Sequence, residues 1–199
     1  MLNGSHSFLA YLGYLGGYET IADTMTNPDY RKAAFALMMQ EQAPTLSMPE
    51  GTDLNAYATL LIERFSNPSL RHRTWQIAMD GSQKLPQRML DSVRWHLAHN
   101  SRFDLLALGV AGWMRYVGGV DEQGNAIEVN DPLLPVIQQV VQNSAEGENR
   151  VEALLGIEAI FGNELPQVAL FTQAVKEAYQ TLLAEGAKAT VAKYASKVK

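Results

Sequence analysis

Between Phe103 and Val117 the chain is apolar nearly all round, with Leu105, Leu106, Leu108, Val110, Trp113 and Met114 leaving no broad polar face. Such a stretch reads as a helix buried on every side, and it requires a shell of other elements around it. Gly109-x-x-Gly112 lies inside it and reads as a packing contact. The remaining segments supply the shell as helices. Phe8, Leu9, Leu12, Leu15 and Ile21 recur near helical spacing from Ser5 to Met25. Three glycines inside that stretch, Gly13, Gly16 and Gly17, each cost roughly 1 kcal/mol against Ala. They predict either a close approach of another backbone or a break.

Helix starts are marked by Asn27-Pro28, Asp53, Asn67-Pro68 and Asp131-Pro132, each an acceptor side chain placed to cap, three of them followed by Pro at the first helical position. They predict helices over 28–38, 54–65, 70–79 and 132–141. Asp80-Gly81-Ser82 reads as a turn, followed by a helix from Leu85 to His99 with Pro86 near its start. Arg150 to Phe161 and a long segment from Pro166 towards the C-terminus complete the set. No β-branched run is long enough for a core strand, and Gly118 to Asn130 offers at most a short hairpin around Gln123-Gly124-Asn125. The expectation is one all-α domain of about eight helices.

Composition narrows the function classes. Apolar residues make up 47% of the 199 and charged ones 19%, which suits a folded globular chain. A net charge of −5 with interspersed signs gives no reason to expect a nucleic-acid or membrane partner. Without cysteine there are no disulfides and no thiolate metal sites. Met1-Leu2-Asn3-Gly4-Ser5-His6 lacks a secretory pattern, so the cytoplasm is the expected location.

Chemistry-bearing motifs are sparse. There is no Gly-x-Gly-x-x-Gly after a strand, no phosphate loop and no His-Glu-x-x-His. His96 and His99 sit three apart, but no carboxylate lies between Ser92 and Arg102, so a solvated helix face is expected rather than a metal. Lys188, Lys193, Lys197 and Lys199 complement a helix C-terminus. Two groups remain. Asn3 and His6 share a helix face, flanked by Gly4, Ser5 and Ser7, small residues that leave room for a ligand. By themselves they read better as a helix cap and a surface histidine than as a ligand site. Asp80 to Lys84 is a polar turn in which Lys84, at a helix start, opposes the dipole and hints at an anionic ligand.

Taken with their surroundings, these groups resemble the C-terminal domain of the long-chain mannitol dehydrogenase family, and most nearly its fructuronate-reducing branch. The resemblance rests on Leu2-Asn3-Gly4-Ser5-His6-Ser7, Ala10 to Leu15, Arg64-Phe65-Ser66-Asn67-Pro68, and Gln76 to Pro86, and it covers essentially the whole chain. It implies a helical substrate domain like the C-terminal half of 6-phosphogluconate dehydrogenase, partnered by its own N-terminal Rossmann domain that binds NAD. No metal is implied. The family motif is Lys, four residues, Asn, two residues, His. Asn3 and His6 match it, whereas the Lys would lie before Met1. The expected activity is therefore that of a two-domain NAD-dependent oxidoreductase interconverting D-fructuronate and D-mannonate, with this segment alone inactive. Altronate or mannitol oxidoreduction is the alternative within the family, and a non-enzymatic helical interaction module the alternative outside it.

The resemblance gives Asn3 the role of polarising the reacting oxygen and His6 that of orienting the substrate. Lys84 would bind a hydroxyl or carboxylate. Gln76 falls where mannitol-specific relatives carry Arg. Arg73 is a further candidate for the substrate, and the cation that meets a carboxylate is open among Lys84, Arg71, Arg73 and Arg88. An apolar patch near Phe8 and Tyr11 is expected where the nucleotide-binding half would dock.

Overall fold

In the computed structural model, which describes residues 2–198, Asp104–Val117 forms helix α8 at the centre, and every residue from Leu105 to Met114 is buried. Around it lie α1 (Leu2–Leu15), α2 (Ile21–Thr24), α3 (Pro28–Ala36), α4 (Leu54–Phe65), α5 (Thr74–Ala78), α6 (Gly81–Leu85) and α7 (Asp91–Ala98). After α8 come α9 (Leu134–Gln142), α10 (Glu148–Leu155), α11 (Glu158–Phe161), α12 (Ala169–Glu185) and α13 (Ala187–Ser196). The most extensive packing on α8 is by α12 and then α1, while α13 packs on α3 and α5 on α1. Among the described residues there is no strand, only two isolated bridges, Thr20 with Arg73 and Val120 with Ala126. The second is all that forms of the expected hairpin.

Two of the four cap signals act as read, while Asp131 instead binds Ser82 and α9 starts two residues later than expected, at Leu134. Asn27 accepts from the N–H groups of Asp29 and Tyr30, and Asp53 from that of Ala56. The number of helices exceeds the expected eight because several predicted segments are divided. Ser5 to Met25 breaks after Leu15, where Gly17 takes a φ of 86°. The C-terminal segment breaks at Gly186, with a φ of 84°.

One expected helix is largely absent. After Asn67-Pro68 only a 3-10 turn forms, Pro68–Leu70, and Arg71 then adopts a left-handed φ of 48°. Tertiary hydrogen bonds outweigh the local signal. The Ile21 N–H donates to the His72 carbonyl, the Thr74 N–H to the Glu19 carbonyl, and Thr74 Oγ1 to the Tyr18 carbonyl at 2.8 Å. This strap holds 72–74 extended against the end of α1 and delays α5 to Thr74.

The helix predicted from Leu85 begins four residues early, at Gly81, and passes through a π turn, Pro86–Leu90, into α7. Proline has no N–H to give the helical ladder, and a wider turn accommodates it without ending the helix. A second π turn, Leu37–Gln42, extends α3. The two meet at α1: Gln42 Nε2 donates to the Arg88 carbonyl at 3.0 Å, and a Cβ on Gly4 would fall 1.7 Å from that nitrogen and 2.8 Å from the same carbonyl oxygen. Only a glycine admits this approach.

Phe8 and Tyr11 are fully buried, so no apolar patch exists there, contrary to expectation. Both residues point into the core beneath α1 instead, and the large exposed apolar side chains lie elsewhere, with Leu46, Met48, Tyr57, Leu60 and Leu70 among them. Gly4→Ala is predicted to destabilise the fold by about 1–3 kcal/mol through overpacking, as read by chemical denaturation. A gain near the 1 kcal/mol that Gly→Ala brings to an open helix would show that the contact is not real.

Candidate functional site

The first two turns of α1 carry the Asn3–His6 pair. Asn3 is exposed, His6 is half-buried, and Ser7 faces inward. The His6 ring is stacked on Phe65 of α4, with centroids 5.3 Å apart and planes within 6°, and meets the edge of His72 at 5.5 Å. Its Nε2 is buried and has no hydrogen-bond partner. Burial, then the charges of His72, Arg88 and Lys84, lower its pKa to about 4. The imidazole is therefore neutral near pH 7. An unsatisfied buried donor or acceptor costs about 1–3 kcal/mol, so a polar atom with no protein partner suits a group that meets a ligand.

The charges of Lys84 and Arg88 bear on the same ring. Asp80, with a left-handed φ of 59°, precedes α6, and its N–H donates to the Asn130 carbonyl at 2.9 Å. The Ser82 N–H donates to Asp131 Oδ2 at 2.8 Å, and Ser82 Oγ donates to Asp131 Oδ1. Gly81 is buried, and a Cβ there would lie 2.5 Å from Trp113 Nε1 and 2.6 Å from the Tyr11 hydroxyl. The segment read as a polar turn is thus a clamped entry to α6. Lys84 sits in the first turn of the helix that runs from Gly81 through the π turn into α7, and its Nζ donates to the Ile77 carbonyl at 2.9 Å. The Ile77 carbonyl near the end of α5 thus gives the ammonium a partner within the fold. One helical turn later, Arg88 Nη1 donates to Ser7 Oγ at 3.0 Å. Burial lowers the pKa of both cations, and Arg88 lowers that of Lys84 further, partly offset by Asp80.

The structure thus gathers His6, Lys84 and Arg88 and leaves Asn3 exposed one turn away on the same helix. Gln76 and Arg73 are exposed on and just before α5, and among the described residues neither side chain makes a hydrogen bond or ion pair. Phe65 and His72, which wall the imidazole, were not singled out from sequence. Phe65 lay in the apolar stripe of α4 and His72 in a segment misread as helix. Arg88 did leave a trace, since like charges four residues apart are unfavourable on a helix.

Elsewhere, one expectation needs revision. His96 is buried, not solvated: Nδ1 pairs with Ser101 Oγ at 2.7 Å and Nε2 with the Glu41 carbonyl. His99 stays outside, stacked on Trp95 at 3.8 Å. Both nitrogens of His96 being engaged, the pair has no shared ligand geometry. Glu41 is itself buried and accepts from the N–H groups of Leu105 and Leu106 at 2.9 and 2.8 Å. It borders a cavity of about 490 Å³ that Arg102, Asp104, Glu177, Tyr194 and Lys197 also line, and that shares no residue with the His6 cluster.

The His6 imidazole, neutral and walled by Phe65 and His72, thus lies within the influence of two half-buried cations, Lys84 and Arg88, in a wholly helical domain. The chain belongs to the mannitol dehydrogenase C-terminal domain family, whose model matches residues 1–183. It is 73% identical over 192 residues to the D-mannonate oxidoreductase of Escherichia coli (strain K12), covering 96% of this chain and 39% of that one. It is equally 73% identical over 197 residues to the uncharacterized oxidoreductase YdfI of the same organism, covering 99% of this chain and 40% of that protein. The chain therefore spans about two fifths of the relatives it matches. Among solved structures, the Pseudomonas fluorescens mannitol 2-dehydrogenase ternary complex with NAD and D-mannitol is similar over 99% of this chain and 39% of that one, at 32% identity and a TM-score of 0.92. No helix among the described residues is long and apolar enough to cross a membrane.

Two titrations follow from the geometry. The His6 imidazole is predicted to titrate near pH 4 by NMR, and a midpoint at the ordinary value of about 6.5 would mean that the ring is solvated. Because the fold lowers this pKa, the stability contributed by neutral His6 is complete above about 6.5 and lost as pH falls towards 4. Glu41 has the opposite sign. Burial pushes its carboxyl up to about 8 against the opposing backbone N–H bonds, so its contribution is complete below the ordinary value of 4.5 and is lost as pH rises towards 8. Glu41→Gln should flatten that decline in urea denaturation curves taken across the interval, and an unchanged pH profile would refute it.

Proposed function

We propose that the chain is the substrate-binding part of a two-domain, NAD-dependent oxidoreductase interconverting D-fructuronate and D-mannonate. The observation that carries this reading is the orphaned, neutral His6 set beside Lys84 and Arg88, in a chain 73% identical to a D-mannonate oxidoreductase.

The chain's own residues do not fit a dinucleotide. Among the described residues there is no sheet, and no Gly-rich turn joins a strand to a helix, the usual cradle for a pyrophosphate. An N-terminal Rossmann domain would hold NAD, which supplies or accepts the hydride. What this chain contributes is binding and charge placement. Asn3 would direct its amide N–H to the reacting oxygen, where negative charge grows as the ketone is reduced. His6, uncharged and held in plane by Phe65, would hydrogen-bond a neighbouring substrate oxygen through Nε2 and fix its orientation. Lys84 keeps two further ammonium protons for a substrate oxygen after its bond to the Ile77 carbonyl. Gln76 and Arg73, exposed beside α1, would meet the substrate only at the rim of the site. Proton transfer falls, on the family motif, to the Lys expected ahead of Met1. A soluble, cytoplasmic enzyme acting on small sugar acids fits this set of residues.

Assay of the complete oxidoreductase against D-mannonate, D-altronate and D-mannitol with NAD tests the proposal, and preference for D-mannitol would refute it. Asn3→Ala should lower kcat by about 10²–10³, the typical loss for one oxyanion donor, because its interaction is stronger in the transition state than in the ground state. Lys84→Met should raise KM more than it lowers kcat. A near-normal kcat for Asn3→Ala, with only an earlier thermal melt, would reduce Asn3 to a structural residue.

A further inference from the structure

The structure assigns Arg88 as the seat of the substrate's carboxylate, a role that the sequence left open among four cations. This rests on the sugar-acid reading above.

Three observations converge on Arg88. Its guanidinium is half-buried and oriented by Ser7, the residue after His6, at 3.0 Å. Its backbone is fixed in turn, because the Arg88 carbonyl accepts from Gln42 Nε2 and presses on Gly4, the residue after Asn3. The guanidinium is therefore bonded to the helix that carries the candidate pair, and the Arg88 backbone is held against the same helix by Gln42. The second observation is charge. Lys84 lies four residues earlier, close enough for each cation to bear on His6 and for Arg88 to bear on Lys84. Among the described residues neither cation forms an ion pair. The acidic group acting on Lys84 is Asp80, Asp131 is held by Ser82, and Tyr11, which faces Arg88, is buried with its pKa raised and stays neutral. Two partly desolvated positive charges side by side are unfavourable, and a bound anion relieves them.

The third observation is the fate of the other candidates. Arg71 and Arg73 are exposed, and Lys84 already spends one proton on the Ile77 carbonyl. A planar guanidinium offers a carboxylate two parallel hydrogen bonds, whereas an ammonium acts as a point charge. Arg88 thus takes the carboxylate and leaves Lys84 for a hydroxyl. A neutral hexitol would leave the pair uncompensated, so the pocket selects a hexonate over a hexitol by charge.

The test is steady-state kinetics of the complete oxidoreductase and its Arg88→Gln and Arg88→Lys variants, with D-mannonate and D-mannitol as substrates. Loss of a charge-assisted hydrogen bond corresponds to about 10- to 100-fold. Arg88→Gln should raise KM for D-mannonate by that factor with a smaller change in kcat, and should erode the preference for D-mannonate over D-mannitol equally. Arg88→Lys should recover part of the loss, with thermal melts establishing that both variants fold. If wild-type enzyme oxidises D-mannonate and Arg88→Gln keeps its KM within threefold, or loses both substrates in parallel, the assignment of Arg88 is overturned and the sugar-acid reading stands. If wild-type enzyme oxidises D-mannitol but no hexonate, both are overturned.

Discussion

Helix α1 has to satisfy two demands at once, and the rest of the structure is arranged around them. Phe8, Leu9, Leu12 and Leu15 are buried against the apolar α8 and its neighbours, each worth about 1.5–3 kcal/mol of hydrophobic stabilisation. That seating is what fixes the direction in which Asn3, His6 and Ser7 project from the preceding turns. A catalytic pair carried by a loop would have to be ordered on binding. Here the core has already set its orientation, since rotating α1 to misplace His6 would withdraw Leu12 and Phe8 from the interior.

The electrostatics of the site depend on the same packing. A histidine in water would be partly protonated near neutrality, and its charge would then compete with Lys84 and Arg88 for any anion. Stacking on Phe65, contact with His72 and the adjacent cations keep it uncharged. The cations lower the histidine's pKa, and the neutral histidine in turn adds no third charge to a site already strongly positive. The charge state of the imidazole is thus set by the same contacts that seat it on α1.

The fold class, the central helix and most caps were legible in the sequence because they rest on local rules. Periodicity places Leu105 to Met114, and an acceptor before proline places Asn27. What the sequence concealed rests on distant pairs. The strap from Thr20 to Thr74 overrides the helical signal after Asn67-Pro68 through hydrogen bonds spanning some fifty residues. The same holds at the site. Asn3, His6 and Lys84 stood out through a family motif, whereas Phe65, His72 and Ser7 acquire meaning only when α4, the strap and the π turn converge on α1. Lys84 illustrates the difference most directly, for spacing placed it near a helix start but gave no sign of its partner, the carbonyl of Ile77 on the preceding helix.

The π turn at Pro86–Leu90 holds one residue more than the α-helix it interrupts. Removing that residue would rotate everything beyond it by about 100°, the angular step of one helical residue. Val93 and His96, both buried, would swing out of the interior, and Arg88 would leave Ser7. The length of this segment is thus held by the core as well as by the Arg88–Ser7 bond. An insertion or deletion in this stretch would therefore cost core packing and the Arg88–Ser7 contact together, whereas exchange of an exposed side chain such as Gln87 would disturb neither.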